Sequence, residues 1–159
     1  MCPISLNRAS GVDITAEQAL VEHQILSHVA LALRLGLDWR AETAGLPRKR
    51  SSVKFTALSY ERHIERIMTL EEEGGYLKFV REQQPELYDK VKALRREHDE
   101  FRRELAAALR GLDELTDDDM VAFDALCGRL IQFLDRVDAH HTHEIDLIQE
   151  AMRDVGGEG

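Results

Sequence analysis

One run of residues constrains this chain more than any other. Leu87, Val91, Leu94, His98, Phe101, Leu105 and Ala108 follow one another in alternating steps of four and three without a break. Such steps keep side chains on one face of an α-helix, because each residue turns the helix by about 100°. A helix with one apolar face must bury that face against another element. A second stripe of the same kind is longer still: Met120, Phe123, Cys127, Leu130, Leu134, Val137, His140, Glu144, Leu147 and Ala151. The partners of these two helices must come from elsewhere in the chain.

Two further stripes supply them. Ala19, His23, Leu26, Ala30, Leu33 and Leu37 mark a first helix, introduced by a capping box at Thr15-Ala-Glu-Gln18 and ending near Gly36 to Asp38. Tyr60, His63 with Ile64, Ile67, and Leu70 with Glu71 mark a second, from about Val53 to Glu73, ended or bent by Gly74-Gly75. Between them, ETAGLPRKRSS reads as a loop by composition, and its RKR triplet as solvated. A short helical piece, YLKFVREQQ, leads to Pro85, which restarts the chain at a first-turn position. Gly111 closes the third helix, and Thr116 to Asp119 caps the fourth. The expected fold is all-α: an up-down-up-down four-helix bundle over residues 15–155, preceded by an N-terminal arm at 1–14.

Composition narrows the function. A chain of 159 residues fits one domain. A formal net charge of −9 repels phosphate backbones, so no nucleic-acid partner is expected. No apolar run reaches the ~18 residues of a membrane span, and the first ten residues lack the apolar core of a signal peptide. Two cysteines cannot build a disulfide framework, so a cytoplasmic setting with no membrane partner is expected.

The stripes contain residues that do not belong in a core of Leu, Ile and Val: His23, His98, His140, Glu71 and Glu144. Charged groups in an apolar interior must be paired or bind a metal, because their desolvation is costly. In an alternating bundle all five sit toward the same end. His140 and Glu144, four residues apart, project side by side on one face. An imidazole and carboxylate mixture suits iron, manganese or zinc. Cys127 reads as core, His28 and His143 as solvent-facing, and the Arg95, Arg96, Arg102 and Arg103 run as an exposed ion-paired face.

These same residues resemble the hemerythrin-like (HHE cation-binding) family. LRREHDEFRREL around His98 is similar to the family's third-helix pattern, and AHHTHEIDLIQEAM places His140 and Glu144 in its HxxxE positions. LEEEGGYL, with Glu71, is similar to the end of the second helix in one bacterial branch, and EHQILSH supplies a first-helix histidine, best matched by His23. The resemblance implies a four-helix bundle with a non-haem iron centre of two ions. It implies ligands His23, His63, Glu71, His98, His140 and Glu144, and a role in O₂ binding or sensing or in iron or peroxide handling. It does not imply catalytic turnover. Two positions depart from the pattern. Ile67 stands where the family has a histidine four residues before the glutamate, with His63 one turn earlier as the substitute, and Arg102 stands where some members carry a second third-helix histidine. The competing expectation is a metal-free helical bundle that serves as a regulatory or protein-interaction module. A ferritin-like oxidase is disfavoured, since the stripes lack its paired Glu-x-x-His motifs.

Overall fold

A computed structural model describes residues 9–155, with side chains from Gln18 to Arg153. Among these residues every regular element is helical. Four long helices, α1 (Ala9–Asp38), α2 (Leu46–Glu73), α4 (Tyr88–Glu114) and α5 (Met120–Val155), are joined by a short helix α3 (Tyr76–Gln83) and by single 3₁₀ turns at Thr43–Gly45 and Pro85–Leu87. α1 packs on α2, α2 on α4, α4 on α5 and α5 on α1, so the four long helices enclose one interior. No described helix is long and apolar enough to cross a membrane.

The stripes account for the core. Leu33, Val53, Ala57, Tyr60, Ile67, Leu105, Leu130, Leu134 and Val137 are almost fully buried in one large apolar cluster. A second, smaller cluster of Leu77, Val80, Leu87, Val91, Leu94, Leu147 and Ala151 lies where α3 meets the start of α4 and the end of α5. The polar positions of the stripes fall between the two. On α4, His98 sits between Leu94 of the small cluster and Phe101 of the large one; on α5, His140 and Glu144 sit between Val137 and Leu147.

Three boundaries differ from the expectation. α1 begins at Ala9, so Thr15 is inside the helix rather than at its cap, and part of the expected arm, Ala9 to Ile14, is helical. Nothing in Ala9 to Ile14 breaks a helix except Gly11, whose cost of about 1 kcal/mol a long helix absorbs. Residues 1–8 lie outside the described residues.

The RKRSS segment is helical, with Pro47 in the first turn of α2, where its missing N–H is not needed. Two of its basic residues serve backbone carbonyls: Lys49 is buried and donates to the Leu37 carbonyl at the end of α1 (2.9 Å), and Arg50 donates to the Leu115 carbonyl (3.0 Å). Cations at helix C-termini satisfy orphan carbonyls and the dipole together.

Gly111 does not end α4. It lies within the helix, and a Cβ there would stand 3.3 Å from Leu126, so its role is close packing against α5. The cap of α5 is as expected: the Asp119 carboxylate accepts the Ala122 N–H at 3.0 Å.

Candidate metal centre

The stripe of α4 carries His98 into the interior with no exposed surface, and the stripe of α5 carries His140 to meet it, 3% exposed. Their Nε2 atoms lie 3.0 Å apart. Glu144, one turn beyond His140, brings Oε1 to 3.0 Å from His140 Nε2 and 3.6 Å from His98 Nε2. The three ligand atoms lie within 4.8 Å of one another, and this buried group could hold a metal ion.

The outward nitrogens decide which atoms face inward. His98 Nδ1 is 2.8 Å from Glu72 Oε1, and His140 Nδ1 is 2.5 Å from Glu97 Oε2. A carboxylate accepts hydrogen bonds and, when ionised, cannot donate. Glu72 stays ionised: burial works against its charge, but bonds from Arg102 and His98 outweigh burial and lower its pKa. Each imidazole is thereby anchored through Nδ1 and turns its Nε2 inward. Two Nε2 atoms and a carboxylate oxygen then converge, an arrangement that needs a positive centre among them: protons on Nε2 shared with Glu144, or a metal ion in their place. Carboxylate–imidazole–metal pairing of this kind orients ligand histidines and raises their basicity. Two ligands about 2.1 Å from one ion and at right angles stand about 3.0 Å apart, so the His98–His140 spacing suits a shared ion.

Glu71 ends the inner stripe of α2 and spans the cluster. Its Oε2 is 3.5 Å from His98 Nε2 and its Oε1 is 3.3 Å from His23 Nε2. Two buried carboxylates this close to a common centre cannot both ionise cheaply. The strain is divided unequally. Burial, opposed by the His23 bond and reinforced by the Glu144 charge, pushes Glu71 up to about 7. Glu144 goes the other way: burial opposes its charge, but the bonds from His140, His98 and Tyr76 hold its pKa well below the ordinary value. Tyr76, at the start of α3, donates its hydroxyl to Glu144 Oε1. Burial and the two nearby carboxylates raise the phenol pKa, so it remains a donor. The turn that delivers Tyr76 depends on Gly75, where a Cβ would stand 2.8 Å from both Glu71 Cα and the Leu70 carbonyl oxygen.

Of the six residues expected from the sequence, the structure brings five together: His98, His140 and Glu144 at the centre, Glu71 beside them, and His23 at the edge, bonded to Glu71. His63 is not brought in. It lies two turns, about 12 Å, before Glu71 along α2, and its Nδ1 meets Glu22 at 2.8 Å, beside an Arg66–Glu22 pair. Ile67 between them is a core residue. Four residues at the cluster were not among those expected: Glu72, Glu97, Tyr76 and His141, whose ring lies 5.4 Å from that of His23. Arg102 also gains a role. It bonds Glu72, Glu65 and Asp99, fixing the carboxylate that fixes His98.

No family model matches the chain, nor does any curated protein or solved structure.

Beside the cluster lies a cavity of about 710 Å³ between the first half of α1, the α2–α3 turn and the second half of α5. Glu144, Glu71, His23, His141 and Tyr76 supply its polar lining, and the rest of its wall is mostly apolar.

Proposed function

We propose that this protein is a hemerythrin-like, non-haem iron-binding bundle with up-down-up-down connectivity. His98, His140 and Glu144 hold the first ion, and Glu71 and His23 are placed to share a second. One observation carries the reading: two buried imidazoles, each anchored through Nδ1 by a carboxylate, present their Nε2 atoms to each other at 3.0 Å with a carboxylate oxygen beside them. Imidazole and carboxylate donors suit iron, with manganese and zinc as competitors. Bound iron would supply electrons to O₂ or a peroxide, and the role that fits is binding, sensing or iron handling rather than turnover. The chain's own residues do the rest. Glu72 and Glu97 orient the rings, Tyr76 holds Glu144 in place, and the apolar clusters on either side limit water.

The test is anaerobic reconstitution with Fe(II), followed by elemental analysis and thermal melting. A ligand that binds only the folded state must raise the melting temperature. Wild-type protein should retain iron, show near-ultraviolet charge-transfer bands and melt higher. His140→Ala should lose all three. Metal-free protein after reconstitution, with no melting shift, overturns the proposal.

A second reading is favoured by a specific observation: among the described residues, every buried side-chain nitrogen and oxygen already has a hydrogen-bond partner. A proton in place of the ion would let the same network close the bundle as a metal-free interaction module. Unchanged melting with Fe(II) is the result that reading requires.

A further inference from the structure

The cavity beside the cluster is far larger than a diatomic ligand needs. At about 710 Å³ it falls in the ~300–1,000 Å³ range of sites that take organic molecules. Its wall is unevenly divided. Leu20, Ile67, Leu70, Phe79, Ile145 and Ile148 supply its apolar lining, and the polar lining comes from the cluster: His23, Glu71, Tyr76, His141 and Glu144. Leu20, Phe79 and Ile145 remain 60%, 54% and 54% exposed, so apolar side chains also form the entrance. Glu144 belongs both to the ligand group and to the cavity wall, so the two spaces adjoin.

We infer that the cavity receives a medium-chain carboxylate, its alkyl tail against the apolar wall and its head group on the cation held by His98, His140 and Glu144. The inference rests on the metal reading above. Neutral imidazoles with Glu144 on the first ion and Glu71 on the second leave the two divalent ions with net positive charge and open positions, and an anionic oxygen meets both needs. An ammonium head would meet the same positive centre and be repelled. An uncharged head would gain burial of the tail alone.

The experiment uses the full chain, metal-free or loaded with Mn(II), with loading measured first by equilibrium dialysis. Acetate, hexanoate and decanoate are then titrated by calorimetry, with decanol and decylamine as head-group controls. In Mn(II)-loaded protein, affinity should rise by about fourfold per added methylene from hexanoate to decanoate. Decanoate should bind loaded protein at least tenfold more tightly than metal-free protein, and decanol should bind both alike. Phe79→Ser and Ile145→Ser, at half-exposed positions, should weaken decanoate severalfold with helicity unchanged. Leu35→Ser, at an exposed α1 position outside the cavity, should leave it unaltered.

Failure to bind Mn(II), or Fe(II) under anaerobic conditions, overturns the metal reading and this inference with it. Metal binding with no gain from acetate to decanoate, or with decanol or decylamine matching decanoate, overturns this inference alone.

Discussion

Replacing Glu97 separates metal affinity from folding stability. Glu97 stands on α4 but acts on α5, where its Oε2 takes the proton of His140 Nδ1 at 2.5 Å. Its side chain is 36% exposed, whereas that of His140 is 3% exposed. Loss of an exposed partner of this kind costs the fold about 0–1 kcal/mol. Loss of the carboxylate behind a ligand imidazole costs about 10–100-fold in metal affinity, or about 1.4–2.7 kcal/mol. Glu97→Gln keeps a carbonyl acceptor and removes the charge, so the lower figure applies. Glu97→Ala removes the acceptor, frees the ring to take the other tautomer, and should approach the upper figure. Competition against a calibrated chelator with Zn(II) or anaerobic Fe(II) reads the affinity, and urea unfolding of the metal-free protein reads the stability. An alanine variant binding within about twofold of wild type would refute the assignment of Nε2 as the inward ligand atom. A loss of metal-free stability as large as the loss of binding would assign Glu97 to the fold instead.

Three further outcomes are expected. Protons compete with a cation for the same atoms: burial opposes protonation of His140, but its bonds to Glu144 and Glu97 prevail and raise its pKa, while Glu71 is pushed up to about 7. Affinity should therefore climb from about pH 6 to about pH 8, with protons released on binding; dialysis across that range checks it, and a flat profile contradicts the assigned ligands. Gly75→Ala forces a Cβ against the α2 backbone and should cost about 1–3 kcal/mol, whereas Gly74→Ala meets nothing within 4 Å and should stay within about 0.5 kcal/mol; equal effects in urea unfolding would show that the α2–α3 turn does not need its close approach. Leu130→Ala, at a position 1% exposed in the large cluster, should cost about 2–5 kcal/mol in the same assay, and a cost below about 1 kcal/mol would show a loosely packed interior.

The helices and their inner faces were legible in the sequence because the steps of three and four are local arithmetic. The meeting of His98 with His140 was legible for the same reason, since both interrupt otherwise apolar stripes. The start of α2 was not. Gly45, Pro47 and three adjacent basic residues have the composition of a loop, and only the folded chain shows Lys49 and Arg50 reaching the Leu37 and Leu115 carbonyls. Glu72 and Glu97 escaped notice because each stands one position off its own helix's stripe and serves a histidine on a neighbouring helix. A search for carboxylates adjoining stripe histidines would have found Glu97, next to His98, and left its true partner unknown. His63 misled because the edge of an inner stripe and its centre differ by a fraction of a turn, and Glu22 on α1 was waiting at that edge.

The band of polar side chains between the large and small apolar clusters also acts as a ruler for the bundle. Leucine-rich layers tolerate sliding, since one layer looks much like the next. If α5 slid past α4 by one turn, His98 would face Val137 or Glu144 rather than His140, and each stranded imidazole or carboxylate would lose its partner in a dry interior. Unpaired polar groups of that kind cost about 1–3 kcal/mol each. The layer that interrupts the hydrophobic interior therefore fixes the axial alignment of the helices, with or without a cation.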